Sequence, residues 1–330
     1  MNFFHSGDLG DVIYALPSMR SMGGGALYLN SRPWTAAMTS ARVQVLKPLL
    51  EIQDYIESVT HDEVPGKYID FSTFRRGGLP YGVSLVELQA DWVGEPPDFK
   101  PWLVVDKPDF RADGRVICHR SSRYHNPHFP WADIGSHYGD QILLVGFPEE
   151  ADALRKELGF NAEYLPTKNY LELSRLISSS SLFIGNQSSP MALALGLGCN
   201  VLQETCLWVC DCLLPRENVE YCYDGGIKSL GIKPYEPPPD IDRYSQPAGG
   251  WVVKNSLGDE FRGMTHKAAA SFLVYSKDFD RTAEGFSLAE QEVDIQQARR
   301  LPKMVLRDSR EQVFGLVERA VNAVKKEVLS

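Results

Sequence analysis

From its second residue the chain alternates short apolar runs with stretches of helical periodicity. That alternation leaves few options beyond parallel sheets covered by helices. "NFFH" reads as a strand, "VIYALPSMRSM" as a helix, and "GGALYLN" as a strand entered through a turn of Gly23, Gly24 and Gly25. "PWTAAMTSARVQVLKPLLEIQ" is mostly helical and leads to the strand "YIESVTH". The segment 63–108, rich in Gly, Pro and aromatics, has no clear period. After "DKPDFRADG", a crowded turn between two apolar strands, the series restarts. "RVICHR", "QILLVGF", "AEYL", "SLFIG" and "NVLQET" are strands; "WADIGSHYG", "PEEADALRKELG", "NYLELSRLISSS" and "PMALALGLG" are helices. The second of these helices has proline at its first position, Glu149 and Glu150 in its first turn and Gly159 behind it. A doubly wound domain is expected there.

At 330 residues the chain exceeds one ordinary core. The expected division is 1–110, 111–245 and an extension, 246–330, behind the proline-rich "KPYEPPPDIDRYSQPAGG". In the extension "WVVKNSLGDEFRG" predicts a hairpin and "THKAAASFLVYS" a helix capped by Thr265. "DSREQVFGLVERAVNAVKKEVL" predicts a C-terminal helix with one apolar face.

Composition bounds the partners. A net charge of −9 argues against a whole-protein electrostatic grip on nucleic acid. The basic run Arg299, Arg300, Lys303, Arg307, Arg310 reads as a solvated helical face or as a site for an anionic acceptor. No apolar run reaches the ~18 residues of a membrane span, and "MNFFHSGDLG" lacks the parts of a signal peptide, so a cytoplasmic protein is expected. Cys206, Cys210 and Cys212 cluster in "CLWVCDC" without the second ligand pair of a structural zinc site, so free thiols and no metal are expected. A nicotinamide enzyme is disfavoured by the lack of G-x-G-x-x-G followed by an acid.

Three stretches carry residue types suited to chemistry. In "HSGDLGDVIYALP" Gly7 and Gly10 allow unusual backbone angles and close approach of a ligand. Asp11 either caps the following helix or, at the carboxyl end of a strand, takes a proton from a hydroxyl. In "ICHRSSRYHNPHFPW" Arg120 and Arg123 suit a diphosphate, and Ser121 and Ser122 can donate to its oxygens. His119, His125 and His128 lack nearby carboxylates in sequence, which argues against a metal. In "LFIGNQSSPMALALGLG" a loop of Asn186, Gln187, Ser188 and Ser189 opens a helix, a ready site for a phosphate or sugar hydroxyls. Each stretch also has a plainer reading as a capped turn or a surface arginine pair.

In this order, the three stretches resemble the heptosyltransferase family of glycosyltransferases, family 9. The pattern G-D-x-G-D-x-x-x-x-x-P is met by Gly7, Asp8, Gly10, Asp11 and Pro17. The loop G-N-D-S-G-P-x-H-x-A is met by Gly185, Asn186, Ser188, Pro190 and Ala194. It is departed from at Gln187, Ser189 and Ala192. The resemblance implies a GT-B-like α/β fold: two Rossmann-like domains facing a cleft, acceptor side first and nucleotide-sugar side second. The C-terminal helix would pack back on the first domain. It further implies a metal-independent glycosyltransferase with Asp11 as catalytic base. Gly10, Arg120, Ser121, Ser122, Arg123, Asn186, Gln187, Ser188 and Ser189 would hold the donor, and Asp8 and His5 would meet the acceptor. The donor is a nucleotide sugar acting as co-substrate, with no further cofactor. The acceptor is a hydroxyl of a glycan such as a lipopolysaccharide core, with nucleic acid or a protein side chain left open. The alternative is a protein of the same fold that binds a sugar nucleotide or glycan without turning it over, motivated by the three departures.

Overall fold

The computed structural model describes residues 1–32, 38–74, 84–206, 212–214, 216–222 and 225–233, and three strands beyond them. The first sheet contains β1 (Asn2–His5), β2 (Gly25–Leu29), β3 (Ile56–Thr60) and β4 (Ile69–Asp70). Its order is β3-β2-β1-β4 and every pairing is parallel. Its helices are α1 (Leu9–Ser21), α2 (Ser40–Leu50) and α3 (Leu85–Val93). The second sheet contains β5 (Val116–His119), β6 (Ile142–Leu144), β7 (Glu163–Tyr164), β8 (Leu182–Asn186), β9 (Val201–Glu204) and β10 (Val219–Cys222). Helices α4 (Trp131–Tyr138), α5 (Pro148–Leu158), α6 (Tyr170–Ser179) and α7 (Ser189–Leu197) are interleaved with it.

The order of the second sheet, β10-β9-β8-β5-β6-β7, is parallel throughout. Counting from its own first strand, this is the doubly wound order third-second-first-fourth-fifth-sixth, and the first sheet repeats the opening four places. Each sheet therefore has a switch point where the winding reverses, between β1 and β4 and between β5 and β8. All three loops that carry the sequence motifs leave strands at those points, after β1, β5 and β8. Beyond them β11 (Trp251–Lys254) pairs antiparallel with β12 (Glu260–Met264), the expected hairpin, and with β13 (Phe286–Ser287). The helices expected at 265–276 and 308–329, the return to the first domain and the Arg299–Arg310 run lie outside the described residues. Among those residues no helix is long and apolar enough to cross a membrane.

Two details differ from the sequence reading. Helix α1 begins at Leu9 with Asp8 as its N-cap, so Asp11 is the third helical residue and not the cap. Helix α3 stands in the segment without a clear period; Ser84 caps it, its hydroxyl accepting the Glu87 N–H at 3.1 Å.

Between Val12 and Met19 helix α1 has one polar residue, Ser18, and behind Ser189 helix α7 has none, a pattern that suits helices buried on all sides over those stretches. From Asp11 to Met19 and from Pro190 to Gly196 no residue is exposed. They pack on each other and join both sheets in one apolar cluster that runs from Phe3 and Val12 through Leu16 to Met191 and Leu195. Each such side chain contributes roughly 1.5–3 kcal/mol by leaving water. The connector from the first sheet lies on α7, where the N–H groups of Trp102 and Leu103 both donate to Gly196 O, at 2.8 and 3.0 Å. A second cluster, with Trp131, Ile134, Leu144 and Leu154, covers the other face of the second sheet.

Candidate active site where two switch points meet

The turn between β1 and α1 is held by a buried hydrogen-bond chain. The Gly7 N–H donates to His5 Nδ1 at 2.9 Å, which makes Nδ1 the acceptor and puts the ring proton on Nε2. That proton goes to Gln89 Oε1 at 3.1 Å, and Gln89 Nε2 donates to Asp11 O at 2.8 Å. His5 is fully buried with its ring parallel to Phe71. It therefore shapes the turn from inside, and the expectation that it meets an acceptor is corrected. The Asp8 N–H donates to Asp11 Oδ2 at 3.3 Å, the reciprocal bond of a capping box. The fit admits no side chain at Gly7, where a Cβ would lie 2.6 Å from His5 Cε1 and 2.8 Å from Asp11 Oδ2.

Helix packing brings the start of α7 to this turn. A Cβ on Gly10 would be 3.7 Å from Ser189 Cα, so the two helix N-termini abut at the distance of ordinary contact. Their partial positive ends converge. Arg123, well exposed, reaches Asp8 Oδ2 at 3.8 Å from the β5 side, and Arg42 of α2 reaches Asp8 Oδ1 at 3.0 Å. Tyr170 of α6 shares a 2.5 Å hydrogen bond with Ser189 Oγ. Burial, only partly offset by that bond and by Arg42, raises the Tyr170 pKa and keeps its proton in place. Asp8, Gly10, Asp11, Arg123, Ser188 and Ser189 are thus brought to one junction with Arg42 and Tyr170. Sequence reasoning missed those last two, because each lies on a separate element with no local pattern around it.

The remaining expected donor ligands support the loops that carry this junction. Glu204, fully buried at the end of β9, accepts from Arg120 Nε at 2.8 Å and Arg120 Nη2 at 2.7 Å. The Arg120 side chain is only 11% exposed, and its guanidinium is committed to that carboxylate instead of a free phosphate. Asn186 is fully buried: its Oδ1 accepts the Ser121 N–H at 2.9 Å, and its Nδ2 donates to the carbonyls of Ser121 and Arg123. Ser121 Oγ also turns to Asn186, and Gln187 Oε1 accepts the Cys206 N–H at 2.8 Å. The Ser122 backbone N–H is the smallest of the influences that lower the Glu150 pKa. Within this loop Tyr124 has φ 58°, a left-handed conformation that non-glycine residues adopt at a cost of order 1 kcal/mol.

Among the described residues no group of three or more His, Cys, Asp or Glu is arranged to hold a metal ion. A cavity of about 830 Å³ near Phe110 and Lys168 lies apart from the junction. Its two arginines, Arg175 and Arg111, are already paired with Asp106 and Asp109.

No protein-family model and no curated protein matches the sequence. Among solved structures, the chain is similar to the Escherichia coli heptosyltransferase WaaC with ADP-2-deoxy-2-fluoro heptose. Identity is 14% and the TM-score 0.43, covering 68% of this chain and 93% of that one. It is similar to a glycosyl transferase family 9 structure from Veillonella parvula at 10% identity and TM-score 0.49, over 67% of this chain and 84% of that one. It is also similar to the E. coli ADP-heptose lps heptosyltransferase II at 10% identity and TM-score 0.44, over 67% of this chain and 89% of that one.

Proposed function

We propose that the chain is a glycosyltransferase that moves a sugar from a nucleoside-diphosphate donor to a hydroxyl acceptor by single displacement. The observation that carries this reading is the junction itself. The carboxylate-bearing turn of one switch point abuts the serine-bearing helix start of the other, through Gly10 and Ser189. Open α/β sheets take ligands at such points. The motif resemblance assigns the first turn to the acceptor and the second to the donor.

In this mechanism Asp11 removes the acceptor hydroxyl proton as that oxygen attacks the anomeric carbon. The bond from that carbon to the diphosphate oxygen breaks, the sugar changes anomeric configuration, and the nucleoside diphosphate leaves. Its growing charge is met by Arg123, the Ser188 and Ser189 hydroxyls and the start of α7, so the step as drawn uses no metal. Arg120 acts one layer behind, holding the loop by its bond to Glu204. Two carboxylates beside the acceptor suit an uncharged hydroxyl of a glycan better than a nucleic-acid backbone.

Asp11→Asn tests the reading, with ADP-heptose, the sugar nucleotide named for the similar heptosyltransferases, as the first compound in a panel of nucleotide sugars. Turnover falls about 10²–10⁴-fold while donor binding persists. A parent protein that binds a nucleotide sugar and transfers from none supports the non-catalytic alternative instead.

A further inference from the structure

Asp8 stands between two arginines that come from opposite sides of the junction. Its Oδ1 meets Arg42 Nη1 at 3.0 Å and its Oδ2 meets Arg123 Nη1 at 3.8 Å. Arg42 belongs to α2, beside the first sheet, and Arg123 to the loop after β5 of the second. One small carboxylate reaches both, so the two guanidinium groups lie within the span of a single anion. The backbone behind each is fixed. The Arg42 N–H donates to Thr39 Oγ1, the cap of α2, at 3.3 Å, and Arg123 O accepts from Asn186 Nδ2 of β8.

The surroundings favour an anion at this place. Arg42 is the third residue of α2, where a cation opposes the helix dipole. Helix α6 begins at Tyr170 and α7 at Ser189, whose hydroxyls share a hydrogen bond, and Tyr170 feels the charges of both Arg42 and Asp8. With α1, four helices start around Asp8.

Arg120 shows by contrast what a committed arginine looks like. Its side chain is 11% exposed and grips the buried Glu204 through two nitrogens. The side chains of Arg42, Asp8 and Arg123 are 44%, 48% and 61% exposed. Ion pairs so open to water are worth little, so an anion with more charge and more oxygens displaces Asp8 readily. Phosphate oxygens match the planar fork of a guanidinium, and a diphosphate has one phosphate for each arginine.

We propose that Asp8 is a resident stand-in for the donor diphosphate, holding Arg42 and Arg123 until the diphosphate takes both, and that Arg42 is therefore a donor-binding residue supplied by the acceptor-side unit. This rests on the donor-side reading above. The diphosphate then ties the two units together through one arginine from each. Asp8, once displaced, is free to accept from an acceptor hydroxyl beside Asp11.

Titration calorimetry of the full chain with inorganic pyrophosphate, at fixed ionic strength, tests the exchange. Arg42→Gln and Arg123→Gln should each bind about tenfold more weakly than the parent. Asp8→Asn should bind about threefold more tightly, because the competitor for both arginines is gone. The loss on Arg42→Gln should be larger in the Asp8→Asn background than in the parent, since the anion there no longer replaces an existing partner. Asparagine caps a helix as well as aspartate does, and the arginines are well exposed, so urea midpoints should stay near that of the parent. An Arg42→Gln chain that binds pyrophosphate as the parent does overturns the proposal, as does a parent that does not bind it. Unchanged or weaker binding by Asp8→Asn overturns the stand-in role. So do strictly additive effects, which would show that Asp8 acts through its charge alone. A silent Arg42→Gln beside a weakened Arg123→Gln sinks this inference and leaves the donor-side reading standing. No readout here needs turnover, so the Asp11 experiment fails or succeeds separately.

Discussion

Replacing Glu204 by Gln exchanges a fully buried carboxylate for an amide of nearly equal shape, which isolates its charge and accepting capacity. The carboxylate takes four hydrogen bonds: Arg120 Nε at 2.8 Å, Arg120 Nη2 at 2.7 Å, Asn126 N at 2.7 Å and Trp131 Nε1 at 3.2 Å. Those four fill its lone-pair positions. The amide sets its own N–H groups against two of the donors and leaves the Arg120 charge nearly buried. Glu157, the other acid on Arg120, sits at 3.2 Å with half its side chain in water, where such a pair is worth little. Removing one member of a buried, hydrogen-bonded ion pair costs about 3–5 kcal/mol. With a urea dependence of ~1–3 kcal/mol per molar, the unfolding midpoint falls by about 1 M or more. Fluorescence of Trp131, whose ring lies 5.9 Å from the Arg120 guanidinium carbon, follows the transition. The double change Arg120→Met with Glu204→Leu recovers only the part of the loss due to the unpaired charge, because it also takes the Glu204 acceptor from the Asn126 N–H and Trp131 Nε1–H. A Glu204→Gln chain within about 1 kcal/mol of the parent refutes this reasoning. So does an Arg120→Met chain that loses pyrophosphate affinity at unchanged stability, which would return Arg120 to the phosphate role.

Gly7→Ala drives a methyl into His5 and Asp11 and displaces the carboxylate; turnover on the best donor falls about tenfold to a hundredfold, and unchanged kcat would show that the turn has slack. The depressed Glu150 pKa means that the unfolded chain binds the proton more readily, so stability rises with pH through that range. Its contribution is complete above the ordinary glutamate value and is lost as pH falls through the folded one. Urea midpoints across the acid range should show a smaller slope for Glu150→Gln than for the parent.

Much of the scaffold was legible from local chemistry. The proline, acidic residues and closing glycine of α5 mark its ends, and Gly159 takes φ 79° where the left-handed closure requires it. The apolar runs of β5, β8 and β9 appear where continuous hydrophobicity places buried parallel strands. What stayed hidden depends on partners distant in sequence. Arg120 and Arg123 are indistinguishable as residue types, yet one meets Glu204, 84 positions away, and the other faces the junction. His5 looked accessible beside a flexible turn until Gln89 and Phe71 were placed around it. Glu150 reads as a first-turn acid and is one, but the same carboxylate oxygen also meets His119, 31 positions earlier at the end of the neighbouring strand.

The sequence by itself determined two parallel α/β units, because the strand and helix periods, the proline starts and the glycine stops are local properties. The helices behind Asp11 and Ser189 are mostly apolar as far as Met19 and Leu197. Only the tertiary structure decided that these two helices bury each other. That pairing sets the turn of one sheet against the loop of the other, because a mostly apolar helix leaves water only by packing on another surface.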